Sequence, residues 1–445
     1  MPDPSSLSGS SAPLRIAIAG LGTVGAGVIR LLDTNRDLIA ARAGRRIEVT
    51  AVSARDRSKD RGVNHQRFDW EDDMTALAAR DDVDVVLELV GGSDGPALAL
   101  SRSALAAGKG LVTANKAMIA HHGLALAGQA EEVGAPLKFE AAVAGGIPVV
   151  KGLREGTSAN ALTKVYGILN GTCNYILSEM EATGADFAET LAEAQRLGYA
   201  EADPTFDIEG IDAAHKLAIL AAIGFGAAVD FASVRTTGIV AVRAADIAQA
   251  DTLGFVIRLI AEADTQGGKL LQRVRPCLVA KDHPLAPVDG PTNAVVAEGN
   301  FSGRLLFQGA GAGDGPTASA VVADLIDIAR VFENGGEVGA PFSMPVDQLA
   351  TLEPGEAGDR LERTYLRFTV NDRPGVLAEI TAAMRDADVS IESLIQQGRG
   401  NADGEVLVAI VTHEGPERSV AKALTLLEGS ASLTAAPLVL PILPS

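Results

Sequence analysis

Leu14 to Ala19 (LRIAIA) is a short apolar run that passes at once into Gly20-Leu21-Gly22-Thr23-Val24-Gly25 and then AGVIRLL. That order predicts a strand, a glycine turn and a helix. Further apolar runs at Ile47 to Ser53, Val83 to Val90, Gly110 to Ala114 and Leu137 to Ala142, with a helix near Pro96 to Ala107, predict a parallel sheet wound with helices. From Lys164 the pattern changes. Val165 to Leu169 predicts a strand, Asn170 to Asn174 a polar turn and Tyr175 onward a helix, with strands recurring at Leu270 to Val279, Asn293 to Glu298 and Arg304 to Phe307. This middle region reads as an open sheet with helices on one side. Between those strands, Ala213, Leu217, Leu220, Ala221 and Gly224 fall on one face of a helix.

Gly309 to Thr317 is a second glycine-rich loop, ahead of a helix with apolar Val321, Val322, Leu325, Ile328, Ala329 and Phe332. Residues 333–361 are rich in Gly, Pro and Glu and predict a linker. Beyond them the order is strand, helix, strand, strand, helix, strand over about 80 residues, a ferredoxin-like pattern. The expected architecture is α/β: a Rossmann-type dinucleotide-binding domain over 14–142 and an α+β open-sheet substrate domain over 143–315, to which the family resemblance given below adds dimerisation. A helix over 316–340 would return to the first domain, followed by a linker over 341–361 and a ferredoxin-like domain over 362–445.

Composition narrows the partners. The chain has 445 residues, 47% apolar and 21% charged, with 38 Lys+Arg against 57 Asp+Glu and a net charge of -19. Such a surface repels phosphate backbones and anionic lipid, so neither nucleic acid nor a membrane is an expected partner. Two cysteines, Cys173 and Cys277, build no disulfide framework, and the first twelve residues have neither a basic start nor an apolar run. A cytoplasmic protein is expected.

Each fingerprint glycine has a task. Gly20 makes the turn, Gly22 lets a pyrophosphate approach the backbone, and Gly25 lets helix pack on strand, with phosphate on the helix N-terminus. The second strand ends in Ser53-Ala54-Arg55, where an NAD site would place an acid. Arg55, with Arg57 and Lys59 behind it, suits the 2′-phosphate of NADP. Lys116 falls just past the carboxyl end of a parallel strand, the ligand side of such sheets. Glu140, with carbonyls of the glycine loop after it, offers oxygen donors to a hard cation. From Gly198 to Lys216 five acids, Glu201, Asp203, Asp207, Glu209 and Asp212, stand against the single cation Lys216. Asp212 and Lys216 are one helical turn apart and can meet one ligand together.

Three segments together carry a family resemblance: GLGTVG, then ELVGG to GKGLVTANKA, then KFEAAVAGGIPVVKGLREG with GILNGTCNYIL and GYAEADPTFDIEGIDAAHKLAIL. With GAGAGDGPTASAVVADL they resemble homoserine dehydrogenase over about residues 14–335, while NDRPGVLAEITAAMRDADVSIESLIQQG resembles an ACT domain, an amino-acid-sensing module. The resemblance implies NAD(P)-dependent interconversion of L-homoserine and L-aspartate 4-semialdehyde, on the route to threonine, isoleucine and methionine, by a homodimer or homotetramer. It implies that Lys216 and Lys116 are catalytic and that Glu201, Asp207 and Asp212 bind the substrate. Gly20, Gly22, Thr23, Val24, Gly25, Arg55, Lys116, Thr172, Gly198 and Gly313 would contact NADP or NAD. Glu140, Val143, Gly145 and Ile147 would hold a monovalent cation, sodium. A threonine effector would bind at Asn371, Asp372, Gly375, Val376 and Leu377.

Two other functions fit parts of the pattern. A thiol-dependent semialdehyde dehydrogenase would need Cys173 as nucleophile. A non-catalytic amino-acid sensor would keep the C-terminal module over a degenerate Rossmann domain.

Overall fold

The computed structural model describes residues 12–396 and 405–444. The first elements are β1 (Leu14–Ala19), α1 (Thr23–Thr34), α2 (Arg36–Ala43), β2 (Ile47–Ser53), β3 (Asp69–Trp70), β4 (Val85–Glu88), α3 (Pro96–Ala106), β5 (Gly110–Thr113), α4 (Lys116–Val133), β6 (Leu137–Lys138) and α5 (Val149–Lys151). The six strands form one parallel sheet in the order β3-β2-β1-β4-β5-β6. Strand order reverses between β1 and β4, the switch point where open α/β sheets bind ligands. The strand expected over 137–142 ends at Lys138. Glu140 donates its N–H to the Asp324 carboxylate at 2.9 Å, and Glu140–Ala142 coil into a single 3₁₀ turn.

Next come β7 (Leu162–Ile168), α6 (Gly171–Thr183), α7 (Phe187–Leu197), α8 (Thr205–Ile208), α9 (Ile211–Phe225), β8 (Arg235–Thr236), α10 (Ala244–Thr252), β9 (Phe255–Gln266), β10 (Lys269–Ala280), β11 (Thr292–Gly299), β12 (Gly303–Ala310) and α11 (Asp314–Asn334). The polar turn expected at 170–174 is instead the first turn of α6. The Asn170 side chain caps it, accepting from Cys173 N–H at 2.8 Å. β9 was not foreseen, because Arg258, Glu262 and Asp264 interrupt its apolar run. All three are buried, and Arg258 is held by Glu181 at 2.8 Å, Glu262 by Arg273 at 3.4 Å and Asp264 by Arg360.

The C-terminal elements are β13 (Glu353–Pro354), β14 (Leu361–Glu362), β15 (Thr364–Asn371), α12 (Val376–Asp386), β16 (Ile391–Gln396), β17 (Glu405–Thr412), β18 (Gly415–Pro416), α13 (Glu417–Leu426) and β19 (Leu438–Pro441). Four of them make an antiparallel sheet in the order β16-β17-β15-β19, under a core that includes Leu366, Phe368, Ile380 and Ile410.

The chain forms two compact units, each assembled from three separated segments. One holds residues up to Val165, His215–Ala232 and Asn293–Leu352, and the other Tyr166–Ala214, Ser233–Thr292 and Glu353 onward. In the first unit α11 lies on α1, and Val321, Leu325 and Ile328 join Leu14, Ile16 and Ile18 in one core. Burying each such side chain stabilises the unit by roughly 1.5–3 kcal/mol. In the second unit the C-terminal sheet is tied to its neighbours by buried ion pairs. Arg367 meets Asp246 at 2.7 Å, Arg275 meets Glu362 at 2.7 Å and Arg273 meets Glu417 at 3.0 Å.

Candidate active site

The first unit carries a cleft of about 790 Å³ at the switch point, whose lining includes Gly20, Gly22, Ser53, Arg55, Lys59 and Arg61. Gly20 has φ +99°, and a side chain there would put Cβ 2.6 Å from the Leu89 carbonyl oxygen. Only glycine turns this corner. Gly22 is the N-cap of α1, has no side-chain cap and has open space around it, while Thr23 and Val24 begin the helix. The first N–H groups of α1 are therefore left for an acceptor from outside, as a pyrophosphate requires. At Gly25 a Cβ would run into the Gly20 carbonyl. These features fit a bound dinucleotide.

Arg55 and Lys59 are exposed on the loop after β2. Arg61 was not singled out from sequence, yet it organises this loop. Its Nε donates to the Leu21 carbonyl at 2.9 Å and Nη1 to the Lys59 carbonyl at 2.7 Å, with Nη2 on the Asp56 carbonyl. Arg57 and Arg61 both lie over the Trp70 ring, at 5.7 and 5.9 Å. Glu88 was also missed. Fully buried at the end of β4, it accepts from Val90 N–H at 2.8 Å, Gly91 N–H at 3.0 Å and the Thr113 hydroxyl at 2.7 Å, fixing the turn that borders the cleft. The available signals were an acid closing an otherwise apolar strand and its place at the head of the ELVGG segment.

Two glycine loops meet in the same unit. A side chain at Gly145 would put Cβ 2.6 Å from the Gly311 carbonyl, and Gly146 N–H donates to the Ala310 carbonyl at 3.1 Å. Ala144 and Gly145 have φ of 55° and 53°, so successive carbonyls between Val143 and Ile147 point in unusual directions. Glu140, 2% exposed, accepts from Val150 and Lys151 N–H groups, each at 2.9 Å. Burial, and then the neighbouring Asp324 charge, push its carboxyl up to about 7. Gly313 has φ +111° and is the N-cap of α11. The next residue, Asp314, has a task the sequence reading did not find: it pairs with Arg30 and packs on Gly27.

Lys116 opens α4, where Asn115 accepts from Met118 N–H at 3.1 Å and donates to the Gly92 carbonyl at 2.7 Å. Lys216 lies on α9 and is 8% exposed.

The second unit gathers the acids. Asn170 Nδ2 donates to Asp207 at 2.7 Å and to Asp212 at 2.8 Å, and the Thr172 hydroxyl reaches Asp207 at 3.3 Å and the Tyr199 carbonyl at 2.8 Å. One amide thus aligns two carboxylates, an arrangement suited to a substrate ammonium. Gly198 is the left-handed C-cap of α7. Glu201 is exposed, its carbonyl accepting from Gln195 at 3.0 Å. Cys173 is fully buried, with Sγ donating to the Asp207 carbonyl at 3.2 Å, so it is not presented as a nucleophile. From sequence Asn170 reads only as part of a polar turn, because its partners lie 37 and 42 residues further along the chain.

In the C-terminal sheet, Gly375 is the N-cap of α12 with φ +99° and no side-chain cap, leaving the N–H groups of Val376 and Leu377 at an open helix end. Asn371 N–H and Nδ2 bond the Ser432 and Ala431 carbonyls at 3.0 and 2.9 Å, and Asp372 is exposed beside it.

The family model described as homoserine dehydrogenase matches residues 148–326, its NAD binding domain residues 20–140, and the ACT domain residues 364–428. The chain is 44% identical over 421 residues to the homoserine dehydrogenase of Pseudomonas aeruginosa, spanning 94% of this chain and 95% of that one. With the Corynebacterium glutamicum homoserine dehydrogenase it shares 42% over 426 residues, 94% of this chain and 93% of the other. A crystal structure of a Thiobacillus denitrificans homoserine dehydrogenase is similar with TM-score 0.91 and 40% identity, over 98% of this chain and 99% of that one. A hyperthermophilic archaeal homoserine dehydrogenase in complex with NADPH is similar with TM-score 0.60 and 26% identity, over 74% and 100%. Matching along nearly its whole length, the chain belongs to the homoserine dehydrogenase family of oxidoreductases, with an NAD-binding domain and an ACT domain.

Proposed function

We propose that the protein interconverts L-homoserine and L-aspartate 4-semialdehyde with NADP as the preferred cofactor, on the route to threonine, isoleucine and methionine. The observation that carries this reading is the Asn170 amide holding Asp207 and Asp212 together, with Lys216 one turn beyond Asp212 on α9. Asp207 and Asp212, with Glu201, receive the substrate ammonium. Lys216 hands a proton to the carbonyl oxygen during reduction and takes it back during oxidation. Lys116 steadies the developing negative charge. The nicotinamide, when bound, supplies or accepts the hydride.

NADP is favoured because Arg55 and Lys59 stand at the loop that reads the adenosine ribose, and no acid ends β2. Arg55→Ala is expected to raise KM for NADPH about tenfold, the order of one lost charge-assisted contact, while KM for NADH stays near the wild-type value. Equal losses for both cofactors would show that Arg55 reads no phosphate.

A sodium ion held by Glu140 and the carbonyls of Val143, Gly145 and Ile147 would also balance the charge of a buried carboxylate. Threonine would act through the N–H groups around Gly375. Gly375→Val should remove threonine inhibition and keep basal turnover, since a Cβ there meets nothing within 4 Å but a β-branched residue cannot hold φ +99°. Steady-state rates with homoserine, NADP and NAD side by side, with sodium or choline chloride and with or without threonine, test the whole reading. No turnover with tight threonine binding would favour a sensor instead.

A further inference from the structure

Two histidines outside the reaction just described link the helices that bear the two lysines. His121 lies on α4, which Lys116 opens, and His215 lies on α9 immediately before Lys216. Their Nε2 atoms are 3.2 Å apart, with ring centroids at 5.3 Å and planes at 61°. Phe231 completes the group, stacked on His215 at 4.2 Å and 11° and edge-on to His121 at 4.9 Å. His215 is 4% exposed, whereas His121 reaches solvent.

Two facing Nε2 atoms at this distance bond only if one carries the hydrogen and the other offers its lone pair. Filling space alone would not call for this chemistry, because a polar ring buried in a helix contact costs stability unless bonded. What the bond adds is direction. On its buried surface α9 carries five alanines, at 213, 214, 218, 221 and 222, beside Leu217, Ile219, Leu220 and Ile223. That apolar burial is non-directional, whereas a hydrogen bond holds one donor–acceptor geometry. The neighbouring His122 holds Asp94 at 2.8 Å, which fixes α4 to the loop before α3 and leaves His121 for α9.

We propose that His121 and His215 are positioning residues, whose hydrogen bond fixes α9 against α4 and thereby sets where Lys216 stands relative to Lys116. This rests on the reading that those lysines serve the reaction. His215→Phe keeps a ring on Phe231 and removes the bond, whereas His215→Gln puts an amide near the former Nε2. His215→Phe and His121→Phe should each lower kcat by about 10- to 100-fold, the scale of a displaced reacting group. KM for homoserine, and NADP binding followed by the fluorescence of Trp70, the single tryptophan, should stay within about threefold, and His215→Gln should restore most of kcat. The double phenylalanine variant should be no slower than either single one. A ¹⁵N imidazole spectrum should show one protonated Nε2 coupled to one unprotonated Nε2.

Wild-type kcat in a folded His121→Phe or His215→Phe protein, single losses that multiply in the double variant, or equal losses for His215→Phe and His215→Gln would overturn the proposal. Lys216→Ala, measured alongside, separates the two levels. Normal turnover there removes the lysine reading itself, whereas an inactive Lys216→Ala beside normal histidine variants removes only the pair.

Discussion

Lys216→Ala is expected to lower kcat by about 10²-fold or more in both directions, the usual scale for a lost proton donor or acceptor. Affinity for NADP should hardly change, because the cleft around Gly20, Arg55 and Arg61 contains no atom of α9. The fold should persist as well. Alanine favours helix, and α9 is already surrounded by apolar packing from Ala213 to Ile223. Steady-state kcat, with a Trp70 fluorescence titration of NADP as the binding control, measures both halves of the prediction. Near-normal turnover in a variant that binds NADP normally would mean another group moves the proton.

A second large effect is expected far from the chemistry. Asp246 is fully buried and accepts from Arg367 at 2.7 Å, the Tyr365 hydroxyl at 3.1 Å and Arg243 N–H at 2.9 Å. Burial pushes the Asp246 carboxyl up and the Arg367 guanidinium down, and each charge partly offsets the effect on the other. In Asp246→Ala the guanidinium stays buried with its counter-charge gone, which should cost about 3–5 kcal/mol. Asp246→Leu combined with Arg367→Met removes both charges and should recover most of that loss. Denaturant midpoints of the two variants decide the matter, and equal destabilisation would show that the pairing is not what the single variant loses. The same network bears on tests of regulation. Cutting the chain near 362 would strip partners from Asp246, Arg273 and Arg275 at once. Gly375→Val disturbs one turn and is the cleaner probe.

Local patterns were legible from the sequence and distant ones were not. The turn at Gly20, the N-terminus at Gly22 and the close packing at Gly25 follow from one hexapeptide, since their geometry is settled within a few residues. The four-stranded C-terminal sheet was equally readable from alternation and turns. β9 was not, because its buried charges are tolerated through partners such as Glu181, Arg273 and Arg360, which come from elsewhere in the chain. Asn170 looked like part of a loop for a similar reason. Its capping bond to Cys173 is local, but its grip on Asp207 and Asp212 depends on how the whole unit folds. Arg61 lies in no motif and Glu88 only opens the ELVGG segment, and the backbone each one holds leaves no mark in residue spacing.

α11 shields the sheet that β1 begins, although Asp314 follows Leu14 by 300 residues in a chain of 445. At roughly 5–20 residues per second, a ribosome needs tens of seconds to deliver Val321 and Ile328 after Ile16 and Ile18 have emerged. Throughout that interval α1 and α2 cover only part of the core that α11 completes, and the remaining apolar surface is open to its surroundings. Production in cells should therefore depend on chaperone occupancy more than the finished protein's stability would suggest.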